Sequence, residues 1–156
     1  LVATAVSHFN RCFYCTLSHL ISLRARAAEQ GTPVDHRAID RPEIDPGIEG
    51  GRELITVAVE ATKPAPDPQT LLTLADVIGP QAAITALEVA ASFVMTNRII
   101  EATGQPVLTN QRERMMPLLE EIGADSFPHS GLTVQREKPD LLSRLRRKLT
   151  RSRRRP

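Results

Sequence analysis

Apolar residues recur along this chain at helical rather than strand spacing. Residues 1–30 read as helix throughout, closed by Gly31, Thr32 and Pro33. Residues 34–51 hold Pro42, Pro46, Gly47, Gly50 and Gly51 and read as a turn-rich connector. Leu54, Ile55, Val57, Ala58 and Val59 predict a short helix over 52–62, which Pro64, Pro66 and Pro68 break. Asp67 and Asp76 are candidate helix starters, and 69–77 reads as another short helix. Pro80 follows Gly79 and suits a first helical position. Ile84, Leu87, Ala91, Val94 and Ile99 or Ile100 then predict a broad apolar face on a long helix over 81–103, stopped by Gly104. A further helix is expected over 111–122, ended by Gly123, with 125–138 irregular. Residues 139–150 predict a last, basic helix with Leu141, Leu142, Leu145 and Leu149 on one side.

Five or six helices with no convincing strand predict an all-α domain of packed helices over 1–138. A basic amphipathic helix and tail follow over 139–156. The first segment begins as the inside of a helix with no capping signal before it, so residues upstream of Leu1 are expected.

Composition sharpens this picture. Aromatic residues are 3% of the chain against 41% hydrophobic overall, so Ala, Leu, Ile and Val must supply most of the packing. The formal charge of +2 hides an asymmetry: residues 144–156 hold eight basic side chains and no acid. The body before them has 12 basic and 18 acidic side chains, a net charge of −6, which argues against a nucleic-acid-binding body. The tail's charge suits an anionic surface or a solvated end. No signal peptide is evident. The most apolar stretch, 82–95, contains Glu88 and reads as too short to span a bilayer, so a cytoplasmic location is expected.

Two cysteines three apart are too few and too close for a secreted disulfide scaffold. They belong to the run His8-Phe9-Asn10-Arg11-Cys12-Phe13-Tyr14-Cys15-Thr16-Leu17-Ser18-His19. On one helix Cys12, Cys15 and His19 share a face. That spacing suits peroxide reduction. A thiolate attacks the peroxide oxygen, and His19, one turn beyond Cys15, is placed to move its proton. A sulfenic acid on Cys15 would condense with Cys12 to a disulfide. Arg11 can lend charge to the thiolates.

Other readings compete. A zinc site would take Cys12, Cys15, His19 and, as a fourth ligand, His8. Covalent haem attachment needs His directly after the second cysteine, where Thr16 stands. A thioredoxin-like site needs strands, which are lacking. Two buried cysteines packing as small apolar residues are the plain alternative.

The run Cys12-Phe-Tyr-Cys15-Thr-Leu-Ser-His19 resembles the alkylhydroperoxidase D-like, carboxymuconolactone decarboxylase family. So does the stretch from Ala91 through Asn97 and Arg98 to Gly104, which is similar to that family's late core helix. The likeness covers about residues 1–107, with the helix, proline break and helix of 53–79 matching in order. It implies an all-α fold, self-association and thiol-dependent peroxidase activity in the cysteine-bearing branch. The implied roles are Cys15 peroxidatic, Cys12 resolving and His19 relaying protons. The decarboxylase branch does not depend on the cysteine pair. The family's relay Glu would fall just before Leu1, and Tyr14 stands where the namesake has His, so no role is carried to Tyr14.

The expected function is therefore an antioxidant dithiol peroxidase with no bound cofactor or metal. It would use a hydroperoxide substrate and an external dithiol or lipoyl-protein reductant. The alternatives are a non-catalytic redox sensor, with the basic tail as its interaction element, and a decarboxylase-like enzyme on the same fold. His8 is placed to tune Cys12, with an ordinary hydrogen-bonded role the plainer reading. Asn97 and Arg98 are expected to pin helices, His36 and His129 to sit in loops without partners in chemistry, and Met95, Met115 and Met116 to pack.

Overall fold

The computed structural model describes residues 1–135; the basic helix expected over 139–150 and the tail lie outside them. The all-α expectation holds. Among the described residues there are six α-helices: α1 (Val2–Phe9), α2 (Phe13–Gln30), α3 (Gly51–Ala61), α4 (Pro68–Ile78), α5 (Pro80–Thr103) and α6 (Thr109–Glu120). Short 3-10 turns span His36–Ile39 and Ala124–Ser126. The segment expected to be irregular, 125–138, overlaps the second of these turns. It also contains Thr133–Val134, which pairs in parallel with Val107–Leu108, the only strand pairing among the described residues.

Most boundaries follow the local signals. Asp67 caps α4 by accepting from the Gln69 N–H at 3.0 Å, and Pro68 and Pro80 open α4 and α5, where a missing N–H costs nothing. Gly31 and Gly104 end α2 and α5 in the left-handed conformation. In the connector, Gly47 has φ +78° and a β-carbon there would run into the Pro33 carbonyl oxygen. That close approach lets the Asp35 N–H reach the Pro46 carbonyl at 3.1 Å and folds the connector back on itself.

One boundary departs from expectation. The helix read over residues 1–30 is two helices. The Cys12 N–H bonds the Ser7 carbonyl at 3.0 Å and the Arg11 N–H bonds the His8 carbonyl at 2.8 Å, with Arg11 left-handed at φ +55°. This is a Schellman stop with Arg where Gly is usual. Its guanidinium lies 5.0 Å from the centre of the Phe127 ring, which helps hold a conformation L-residues avoid. Cys12 then turns extended and becomes the N-cap of α2.

Two apolar clusters flank the dithiol. One joins α1, α3, α4 and α5 through Val6, Ile39, Val57, Ala58, Leu74 and Ala90. The other joins the start of α2 to α6 through Phe13, Leu17, Leu20, Leu119, Ile122 and Phe127. Each large apolar side chain so buried contributes about 1.5–3 kcal/mol.

The long helix α5 corrects a second expectation. It packs through Ala83, Ala86, Ala90 and Asn97, all buried, while Ile84, Leu87, Ala91, Met95 and Ile99 are exposed. Small side chains let α5 approach its neighbours closely. Of the residues the periodicity singled out, Ile84, Leu87, Ala91 and Ile99 turn outward, while Val94 and Ile100 are half-buried, Val94 against the first cluster. Met115 packs inside, as expected, whereas Met95 does not.

Candidate functional site

Three elements converge at the junction of α1 and α2. Cys12 comes from the junction itself, Cys15 from the first turn of α2, and His19 from the next turn. Ser7 comes from the inner face of α1, and Asn97 and Glu101, four residues apart, come from one face of α5. Cys12 and Cys15 are free thiols, buried, and members of neither apolar cluster.

The two thiols are unequal. The Cys12 thiol beside Cys15 pulls the Cys15 pKa below its ordinary value, against burial and the negative charge of Glu101. The same pairing, with burial, drives the Cys12 pKa far up; the Cys15 backbone N–H opposes this without prevailing. The physical picture is one proton shared by two sulfurs, kept on Cys12, with Cys15 as the thiolate acceptor. The N-terminal end of α2 reinforces it, since a thiolate in the first helical turn meets the positive end of the helix dipole. The break at Arg11 matters here: in an unbroken helix neither cysteine would lie at a helix N-terminus.

His19 is held by Ser7. Its Nδ1 lies 3.0 Å from Ser7 Oγ, and its ring packs edge-on against Phe93 at 4.3 Å. Ser7 Oγ has a single proton, and its shortest contact, 2.7 Å, is to the Ala3 carbonyl. The hydroxyl therefore accepts from His19 Nδ1–H, which leaves Nε2 as the basic nitrogen. Burial, foremost, lowers the His19 pKa, so the neutral ring is the resting form. No hydrogen bond joins His19 to Cys15 among the described residues; they share a helix face one turn apart.

Asn97 is completely buried, 3.4 Å from Ser7 Oγ through Oδ1, and its Nδ2 has no protein partner. Thr16 Oγ1, His8 Nδ1 and Asn10 Nδ2 are likewise buried and unpartnered. Unpaired buried donors and acceptors are costly, and four of them surround the start of α2. A seam of this polarity between two apolar clusters suits a site that receives a polar molecule.

Sequence reasoning missed Ser7 and Glu101. Glu101 faces the thiols closely enough to oppose ionisation of both, and its carboxylate lies 3.4 Å from His129 Nδ1. The available signal was the four-residue spacing from Asn97 to Glu101. His129 thus has a charged partner, and so does buried His36, whose Nε2 is 3.1 Å from Glu121. His8 is buried as well, with Nε2 3.4 Å from Asp40. Arg11 lies over Phe127. Arg98 is exposed, so of the Asn97–Arg98 pair only Asn97 lies in the packing. No group of three metal-ligating side chains converges among the described residues.

A cavity of about 560 Å³ is lined by Phe9, Ile39, Asp40, Arg52, Ile55 and Val59; the thiols do not line it. No family model, curated protein or solved structure matches the chain. The likeness of residues 12–19 to alkylhydroperoxidase D-like proteins therefore rests on the motif itself.

Proposed function

We propose that the chain reduces hydroperoxides through Cys15 and Cys12. The observation that carries this reading is a pair of buried free thiols at the N-terminal end of α2, Cys12 at its cap and Cys15 in its first turn; their pairing, which lowers the Cys15 pKa and raises that of Cys12, supports it. The Cys15 thiolate attacks the distal oxygen of ROOH. The O–O bond breaks, Cys15 becomes a sulfenic acid, and the alkoxide leaves as the alcohol by taking from His19 the proton that Nε2 had accepted from the Cys15 thiol. The Cys12 sulfur then displaces hydroxide from the sulfenic acid, its own proton completes water, and a Cys12–Cys15 disulfide forms. An external dithiol, of lipoyl type, reduces that disulfide and becomes a disulfide itself.

Ser7 supports the step by holding His19 in the tautomer with Nε2 free. The unpartnered Asn97 amide and Thr16 hydroxyl supply hydrogen bonds to the peroxide or the departing alkoxide.

A second reading, a redox sensor, draws on the depth of the site: Cys12 is fully buried and Cys15 nearly so. Such thiols would oxidise slowly and report through a change at the α1–α2 junction.

Consumption of an organic hydroperoxide with dihydrolipoamide as reductant separates them. Multiple turnovers are expected, lost by at least about 100-fold in Cys15→Ser, with a trapped sulfenic acid in Cys12→Ser. A single stoichiometric oxidation that never turns over would favour the sensor. Undiminished turnover in Cys15→Ser would overturn both.

A further inference from the structure

The outward face of α5 is the largest feature the dithiol does not explain. By length and composition α5 could cross a membrane, yet only 22% of its apolar window is buried within the fold. The helix runs on to Thr103, beyond the stretch 82–95 that the sequence singled out as too short to span a bilayer. Along one face, Ile84, Leu87, Glu88, Ala91, Met95, Arg98, Ile99 and Ala102 are all exposed among the described residues. Ile84, Met95 and Ile99 keep about half or more of their surface in solvent, at 47%, 62% and 55%.

The order of these residues is self-complementary. Glu88 stands five positions before Phe93 and Arg98 five after it. Met95 and Ala91, Ile99 and Leu87, and Ala102 and Ile84 are placed the same way around that centre. We propose that a second copy of this chain docks on α5 in antiparallel orientation, with its two-fold axis passing level with Phe93.

In that arrangement Glu88 meets Arg98 of the second copy, twice by symmetry. Met95 fills the space over Ala91, Leu87 packs on Ile99, and Ile84 lies over Ala102. Small opposite large is what interdigitating helices require. A two-fold contact uses one patch against itself, so charges equidistant from the axis and opposite in sign attract in both pairs. A parallel pairing would set Glu88 against Glu88 and Arg98 against Arg98. A shallow crossing, about 20°, keeps the contact along the helix. A bilayer would take the apolar side chains but would gain nothing from the mirrored charges.

The full chain, studied by sedimentation equilibrium over a concentration series, tests this with Glu88→Arg, Arg98→Glu and the double swap. The wild type is expected to be dimeric, and each single reversal to weaken the dimer at least about tenfold, because it creates two like-charge contacts. The double swap should return the Kd to within about threefold of the wild type. Met95→Glu should give monomer, with unchanged far-ultraviolet circular dichroism showing that the fold is kept. A wild type monomeric at every concentration overturns the proposal, and if it then floats with lipid vesicles a bilayer is the occupant. A dimer indifferent to either single reversal overturns it too, since the contact then lies elsewhere.

Discussion

The two longest helices, α2 and α5, use their apolar residues in opposite ways. α2 buries large side chains, Phe13, Leu17 and Leu20, together with Cys15, in its first turns, and its remaining turns to Gln30 are mostly exposed or half-buried. α5 fully buries three alanines and an asparagine, half-buries Val89, Phe93 and Val94, and leaves Ile84, Leu87, Met95 and Ile99 outside. The difference lies in the neighbours. α2 meets α6 across a contact filled by long side chains, whereas α5 sets fully buried alanines, with half-buried Val89, Phe93 and Val94, against Val6, Val57 and Leu74 of α1, α3 and α4. Hydrophobic periodicity states that a helix has an apolar stripe. Which stripe is buried depends on how closely the neighbouring backbones come.

The sharpest way to break that comparison is stability. Leu20→Ala should cost about 2–5 kcal/mol, because it empties a fully enclosed site at the α2–α6 contact. Ala90→Leu should cost about 1–3 kcal/mol, because a side chain with no exposure at a close contact has no room to grow. Met95→Ala should stay within about 0.5 kcal/mol when urea unfolding is followed at concentrations where the chain is monomeric. If Met95→Ala were as costly as Leu20→Ala, the assignment of the outer face would be wrong.

The same contrast explains what was legible beforehand. Helix number, the proline starts of α4 and α5 and the glycine ends of α2 and α5 follow from local chemistry, and sequence carries local chemistry directly. The break between α1 and α2 was not legible, because Arg11 occupies the left-handed position that Gly usually marks. The motif placed Cys12, Cys15 and His19 on adjacent turns, and the structure keeps that adjacency while moving the cysteines to a helix start. Ser7 and Glu101 depend on how α1 and α5 pack against α2, which periodicity does not encode.

Ser7→Ala probes the α1 side of the site. It removes one hydrogen bond to His19, and the rate of Cys15 oxidation by peroxide should fall about fivefold, the equivalent of about 1 kcal/mol. The pH at which Cys15 ionises should stay in place, since Ser7 acts on the histidine. Ser7→Thr keeps the hydroxyl and should recover most of the rate. An unaltered rate in Ser7→Ala would remove Ser7 as a positioning residue.

Glu101→Gln probes the α5 side and should act in the opposite sense. Removing its negative charge lowers the cost of ionising Cys15, so the alkylation-rate profile with iodoacetamide should move to lower pH. A move to higher pH would mean that the carboxylate assists deprotonation instead of opposing it.

The smallest expected effect concerns the histidines that join these regions. His8 and His36 are buried beside Asp40 and Glu121, so two forces oppose each other. The carboxylates favour protonation, but their side chains are 48% and 45% exposed and solvent screens them. The imidazoles, at 7% and 8%, bear nearly the full cost of leaving water, and burial is the foremost cause lowering both pKa values. His19 is lowered in the same direction. The folded state therefore prefers neutral rings, while the unfolded chain takes up protons near the ordinary histidine value of about 6.5. As pH falls through that value the unfolded state binds more protons and gains on the folded one. Tm should be level above about pH 7.5, where histidines are neutral in both states, and should decline toward pH 5. His36→Gln should shallow that decline without removing it, because His8 and His19 remain. A Tm that rose on acidification would show the carboxylates outweighing burial, with His8 and His36 acting as charged clasps between the connector, α1 and α6.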